Sequence, residues 1–182
     1  LQRMSGISTT TSKFVDAIQG TKAKILDTRK TAPGIRVLDK LAVSLGGGVN
    51  HREGLYDMVL IKENHIEASG SISEAVSRVR NGKYKHLVVE VEVKNLLELK
   101  ETIDLEVDRI LLDNMNLEDM TKSVRIVNGK VPLEASGNVT LANVKDVSYT
   151  GVDFISVGAL THSVKAMDIS FLLSSQFEGR NS

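Results

Sequence analysis

The feature that most constrains this chain is a repeated alternation of short apolar runs with amphipathic stretches. The runs Ala23–Thr28, Met58–Ile61, Leu87–Val93, Arg109–Asp113, Val131–Ala135 and Asp153–Val157 are rich in Val, Ile and Leu. Such runs suit parallel strands buried on both faces. Between them, Gly34–Leu45, Ser73–Arg80, Leu96–Ile103, Leu117–Val127 and Leu141–Tyr149 carry helical spacing, and Leu1, Met4, Ile7, Phe14, Val15 and Ile18 form a helical stripe at the start. Asn116 and Thr140 are the predicted N-caps, and Gly46-Gly47-Gly48 ends a helix. No Pro- or Ser-rich break divides the chain, which predicts one α/β domain, a closed barrel or an open doubly wound sheet. The chain starts without Met inside a helical pattern, so a fragment is expected, with a domain over residues 1–173 and a polar tail over 174–182 that frays.

Composition narrows the chemistry. The 182 residues carry no net charge, so no global field draws the chain to nucleic acid or anionic lipid, and a bound anion needs a local cluster. With no cysteine, disulfides and thiolate metal sites are excluded, and a reducing, cytoplasmic setting is expected. No apolar run approaches the ~20 residues that span a bilayer.

Nearly every strand run ends in charged or small polar residues: Asp27-Thr28-Arg29-Lys30, Ile61-Lys62, Glu90-Val91-Glu92, Asp113-Asn114, Glu134-Ala135-Ser136-Gly137 and Gly158. In barrels and doubly wound sheets alike, the site lies at the C-terminal strand ends. Glu90 and Glu92 share a strand face, which is the inner one if helices cover the valines. Asp113, Leu111 and Arg109 share a face of their own strand, so Asp113 is also expected at the mouth. Two buried carboxylates need compensation, here from Arg29, Lys30, Arg52, Lys62 or a divalent cation; a structural ion-pair network is the alternative for Glu90. Glu92 with Asp113 resembles an oxygen-ligand site for Mg²⁺.

The basic residues Arg29, Lys30, His51, Arg52 and Lys62 flank strand ends as a local anion trap. A lone His65 reads as structural, whereas His51 follows a triple glycine and precedes Arg52. Ser136-Gly137-Asn138 and Gly158-Ala159-Leu160-Thr161-His162-Ser163 each leave a strand and open a helical segment, as a phosphate cradle does.

These strings together resemble the quinolinate phosphoribosyltransferases (nicotinate-nucleotide pyrophosphorylase, carboxylating): Asp27-Thr28-Arg29-Lys30-Thr31, Gly46-Gly47-Gly48-Val49-Asn50-His51-Arg52, Ile61-Lys62-Glu63-Asn64-His65, Glu90-Val91-Glu92-Val93, Leu111-Leu112-Asp113-Asn114-Met115, Glu134-Ala135-Ser136-Gly137-Asn138 and Ser156-Val157-Gly158-Ala159-Leu160-Thr161-His162. The resemblance runs in order from Leu1 to about Leu173. It implies a TIM-like α/β barrel of about six parallel strands, open or irregular. It also implies Mg²⁺-dependent transfer of phosphoribose from phosphoribosyl pyrophosphate to quinolinate, with loss of CO₂ and pyrophosphate, giving nicotinate mononucleotide. Arg29, His51, Arg52 and Lys62 then hold the quinolinate carboxylates, and Lys30 meets the pyrophosphate. Glu92 and Asp113 meet the ribose hydroxyls and Mg²⁺, directly or through water. Ser136, Gly137, Asn138, Gly158 and His162 hold the 5′-phosphate, and Lys30, Lys62, Glu92 and Asp113 form the catalytic set. The family's N-terminal domain, absent here, and a homodimer or higher oligomer are implied to complete the site. Competing readings are a nicotinate phosphoribosyltransferase, an aldolase with Lys62 as Schiff-base nucleophile, and a non-catalytic assembly fragment.

Overall fold

Side-chain alternation along the strands decides the architecture. In Val88–Val93 (β3) the odd-numbered Val89, Val91 and Val93 are fully buried against helices, while Glu90 and Glu92 face the other way. Each valine so buried contributes about 1.5–3 kcal/mol. The same parity holds across the sheet, because β3 registers Glu90 with Arg109 and Glu92 with Leu111 of Arg109–Asp113 (β4). β4 in turn registers Leu111 with Glu134 and Asp113 with Ser136 of Leu133–Ser136 (β5). The outer face is therefore aliphatic and the inner face polar.

The computed structural model describes residues 1–173; the expected polar tail at 174–182 lies outside the described residues. With Lys24–Leu26 (β1), Met58–Ile61 (β2) and Phe154–Ser156 (β6), the six strands form one all-parallel sheet in the order β1-β6-β5-β4-β3-β2. This is the TIM-like α/β barrel expected from the sequence, and it is open: β1 and β2 do not pair. Among the described residues the free edge of β1 is bridged by Val49, whose N–H donates to Ile25 O at 2.8 Å and whose carbonyl accepts from Asp27 N.

Helices Gln2–Ala17 (α1), Arg36–Leu45 (α2), Glu63–Ser69 (α3), Ile72–Arg80 (α4), Leu96–Thr102 (α5), Leu117–Val127 (α6), Val144–Tyr149 (α7) and Ala159–His162 (α8) follow the strands or precede them. The main apolar core lies between helices and sheet, where Ile7, Phe14, Val43, Val76, Leu99, Met120, Val144 and Leu160 meet the outer strand faces. Ile7, Phe14 and Ile18 of the expected first stripe are buried, but Leu1 is 94% exposed.

Several boundaries differ from the sequence reading. Asn116 caps α6 as expected, its side chain accepting from Asp119 N. Thr140 caps nothing: α7 begins at Val144 after Asn143, whose Oδ1 accepts from Thr140 N. β5 starts at Leu133, two residues later than expected, because Pro132 has no N–H and contributes only its carbonyl, to Ile110 N. The sequence reading missed α3 because it buries no residue and so carries no apolar stripe. His65 ends up as its start signal, with Nδ1 accepting from Lys62 N, which is the structural role expected of it.

Candidate active site

The C-terminal strand ends open into one cavity of about 770 Å³. Arg29, Lys30, His51, Arg52, Lys62, Glu92, Asp113, Ser136, Gly137, Asn138, Gly158 and His162, the residues singled out from the sequence, all line it. Leu60, Leu111, Asn114, Glu134, Ser156 and Thr140 also line it, beyond the site residues expected from the sequence. Glu134 was legible in principle, since it lies two residues before Ser136 on one strand face.

One wall is basic. Arg29 lies three residues past the end of β1, and its Nε is buried with no hydrogen-bond partner among the described residues. Burial, then the positive charge of Arg29, holds Arg52 below the usual arginine value. Arg52 is fixed by Nη1 donating to Met58 O at 3.1 Å. Two guanidiniums near enough to disfavour each other, one with an unused donor, define a place for an anion.

The opposite wall is acidic. Glu92 and Asp113 stand on neighbouring strands, with Glu92 level with Leu111 and Asp113 two residues nearer the mouth. Lys62 Nζ lies 2.7 Å from Glu92 Oε2, as the sequence reading allowed, and Asp113 accepts from Asn114 Nδ2 at 3.0 Å. Two hard carboxylate donors on a partly open wall suit a magnesium ion that keeps water and takes further oxygens from its substrate. Lys62 is half-exposed and paired with a carboxylate, which is not the apolar pocket that activates a Schiff-base lysine.

Below this wall, Glu90 does not line the cavity. It belongs to a buried network whose cations differ from the set expected: His51 Nε2 lies 3.0 Å from Glu90 and 3.4 Å from Glu134, and Arg109 Nη1 lies 3.0 Å from Glu134. Arg109, on the inner face of β4, also stacks over Phe154 with its guanidinium 4.2 Å from the ring centroid. Both oxygens of Glu90 lack a well-aligned hydrogen bond among the described residues. Burial, then the charge of Glu134, pushes the Glu90 carboxyl up to about 7. Burial opposes a charged His51, but Glu134 and then Glu90 outweigh it and push the imidazole up to about 9.

His51, Glu90 and Glu134 are close enough to share an ion, yet the ring chemistry opposes it. Arg52 N donates to His51 Nδ1 at 2.7 Å, so Nδ1 is the acceptor and Nε2 carries the ring hydrogen toward the carboxylates. That bond opposes full protonation of the imidazole. The extra proton of the cluster is therefore shared between His51 and Glu90. A second consequence is that both ring nitrogens are engaged, so His51 faces the cavity without a free ring donor.

The phosphate-side loops differ from expectation in one respect. Because α7 starts late, loop backbone rather than a helix N-terminus faces the cavity at residues 137–140, whereas Gly158 and Ala159 open the short α8 there, as expected. Gly137 and Asn138 take successive positive φ values of 99° and 52°, a conformation that turns consecutive N–H groups to one side. The N–H groups of Gly137, Asn138, Val139, Gly158 and Ala159 donate to nothing among the described residues. A Cβ on Gly137 would come within 2.2 Å of Asn114 Oδ1, and one on Gly158 within 2.9 Å of His162 Nε2. Thr161 Oγ1 donates to Lys30 O at 2.8 Å, latching this loop to the basic one.

Fold and site together define an open, parallel α/β barrel with a cavity built for a multiply anionic ligand at its strand ends. The chain belongs to the family described as "Quinolinate phosphoribosyl transferase, C-terminal domain", whose profile matches residues 7–172. It is 48% identical to the chloroplastic nicotinate-nucleotide pyrophosphorylase [carboxylating] of Arabidopsis thaliana, over 97% of this chain and 55% of that protein. It is 45% identical to quinolinate phosphoribosyltransferase [decarboxylating] 1 of Nicotiana glauca, with the same coverage. Among solved structures, the nicotinate-nucleotide pyrophosphorylase of Francisella tularensis is 50% identical and superposes with a TM-score of 0.90, over 93% of this chain and 60% of that one. The chain thus spans about half the length of the curated relatives it matches. Among the described residues, no helix is long and apolar enough to cross a membrane.

Proposed function

We propose that residues 1–173 form the barrel domain of a decarboxylating quinolinate phosphoribosyltransferase in de novo NAD biosynthesis, completed by an N-terminal domain and by a second copy of the protein. The observation that carries this reading is the pair Arg29 and Arg52 on one cavity wall, the first with a buried donor left unpartnered among the described residues, facing Glu92 and Asp113 on the other. A diacid needs two cationic contacts, and a pentose at its anomeric carbon needs anionic ones.

In this reading Arg29, Arg52 and Lys62 orient the two carboxylates of quinolinate, and Lys30 meets the pyrophosphate. The ring nitrogen attacks the anomeric carbon as pyrophosphate leaves with the bonding electron pair. Glu92 and Asp113 stabilise the positive charge that develops on the ribose and hold its hydroxyls. The free N–H groups at 137–139 and 158–159, with Ser136 and His162, hold the 5′-phosphate. The cationic ring nitrogen then draws the electrons released as the adjacent carboxylate departs as CO₂, and the ring carbon takes up a proton.

Glu92 and Asp113 would hold Mg²⁺, directly or through water, and the ion would neutralise charge on the departing pyrophosphate. Zero net charge supports a small-molecule role without nucleic acid or a membrane surface, and the absence of cysteine supports a reducing compartment such as the cytoplasm. Calorimetric titration of the full-length protein tests the reading: quinolinate should bind at least about tenfold more tightly than nicotinate, because the monoacid leaves one buried cation unpaired. Equal affinity, or preference for nicotinate, would assign the cavity to a nicotinate phosphoribosyltransferase.

A further inference from the structure

Where the barrel fails to close, a single backbone bridge at Val49 rather than a strand ladder ties the segment between α2 and β2 to β1, and it stops short of His51 and Arg52. Side chains of α2 hold the rest. Lys40 and Asp27 are a fully buried ion pair, Nζ to Oδ1 2.6 Å, with relative exposures of 1% and 0% for their side chains. The pair brackets a single residue: His51 N donates to Asp27 Oδ1 at 2.8 Å, and Lys40 Nζ donates to His51 O at 2.8 Å. Asn50, with its amide turned to suit its neighbours, adds bonds from Nδ2 to Asp27 Oδ2 at 2.8 Å and to Lys40 O at 2.9 Å. One turn earlier on the same helix, Arg36 reaches the same two loops, donating to Glu53 O at 3.1 Å and to Thr31 Oγ1 at 3.1 Å. Neither Lys40 nor Asp27 lines the cavity.

We infer that the Lys40–Asp27 pair is a positioning device that holds Arg29 and Arg52 at the spacing a dicarboxylate requires, across the one place where the sheet cannot. Asp27 directly follows β1, two residues before Arg29, and the bracketed His51 immediately precedes Arg52, so the pair joins the backbones of the two guanidiniums. Those guanidiniums repel each other, and without a brace the segment would relax away from an empty anion site. Preorganisation of this kind acts on ligand affinity by removing an ordering cost from binding. Stability alone does not account for the pair, because a buried ion pair is often no more stabilising than apolar groups of the same size. Burial raises the Asp27 carboxyl despite Lys40, which marks the same desolvation cost.

The inference rests on the dicarboxylate reading proposed above, and its test separates the two. In the full-length protein, Lys40→Met alone strands a buried carboxylate and lowers the melting temperature. The double variant Lys40→Met/Asp27→Asn removes both charges and should melt near the wild type, because the introduced amide oxygen can still accept from His51 N. Its quinolinate dissociation constant should rise about five- to twentyfold, while that of inorganic phosphate, held by the loops after β5 and β6, stays within about twofold. Amide exchange of residues 49–53 should accelerate at least about tenfold, with that of 137–140 unchanged. A stable double variant with wild-type quinolinate affinity overturns the inference, as does unchanged exchange at 49–53 whatever the ligand proves to be. Wild-type protein that binds no quinolinate overturns the functional reading instead, and the exchange measurement still decides the positioning role.

Discussion

Replacing His51 with Leu should expose how the barrel centre tolerates two carboxylates. Glu90 and Glu134 are fully buried and inward-facing, and His51 lies close to both, at 3.0 and 3.4 Å. Arg109 approaches Glu134 at 3.0 Å but Glu90 only at 4.0 Å, so Glu90 depends on the imidazole. Removing one partner of a buried charged pair costs about 3–5 kcal/mol. For a domain of this size that corresponds to a fall of roughly 10–15 °C in melting temperature. Adding Glu90→Gln to the same background removes the stranded group and leaves Glu134 with Arg109. The second substitution should restore about 2 kcal/mol, the scale of coupling between residues in one network. Urea unfolding of wild type, single and double variants at pH 7.5 closes the cycle. A loss below about 1 kcal/mol for His51→Leu, or further destabilisation on adding Glu90→Gln, would show that the imidazole does not compensate Glu90.

Three further outcomes are expected. The folded pKa of His51, about 9 against an unfolded 6.5, sets the sign of an alkaline effect: stabilisation is fully present below 6.5 and is lost as pH rises through about 9. Its ceiling is about 3 kcal/mol, reduced by the Arg52 N–H bond to Nδ1, and the sign is the same if the proton sits on Glu90; denaturation midpoints flat from pH 6 to 9.5 would contradict it. Gly137→Ala, at φ 99° and against Asn114, should lose about 1–3 kcal/mol of stability and weaken inorganic phosphate binding, read by unfolding and calorimetry. Glu92→Ala, which removes a partly exposed pair with Lys62, should lower turnover at least about a hundredfold and shift the melting temperature by only a few degrees, whereas a large melting shift with preserved turnover would make Glu92 structural.

The inner face of the barrel was legible in the sequence because strand parity is strict: Glu90, Glu92, Leu111 and Asp113 had to point one way once the valines met the helices. The cavity followed, since the C-terminal strand ends converge. The partners of buried charges were not legible. Arg109 shares a parity with Asp113 but sits at the other end of its strand, and only the register against Glu90 brings it to the carboxylates. Lys40 and Asp39 lie on an amphipathic helix, where charges read as solvated, yet both are buried. Asp39 is held by Arg3, Nη2 to Oδ2 2.7 Å, and accepts from Ala32 N at 3.0 Å. Although burial opposes it, this pairing holds its carboxyl below the ordinary range. Pairings between residues far apart in sequence depend on how the sheet closes, and an open seam leaves no period to read. The late start of α7 has a more local cause, the Thr140–Asn143 turn formed by the Asn143 side chain.

The central claim is that the paired arginines and facing carboxylates process a pyridine diacid. The direct measurement is turnover of the full-length protein with phosphoribosyl pyrophosphate and carboxyl-labelled quinolinate, following labelled CO₂ and nicotinate mononucleotide together. The two products should appear in equal amounts from quinolinate, and neither from nicotinate. Mononucleotide formed from nicotinate, or quinolinate left unconsumed, would contradict the claim.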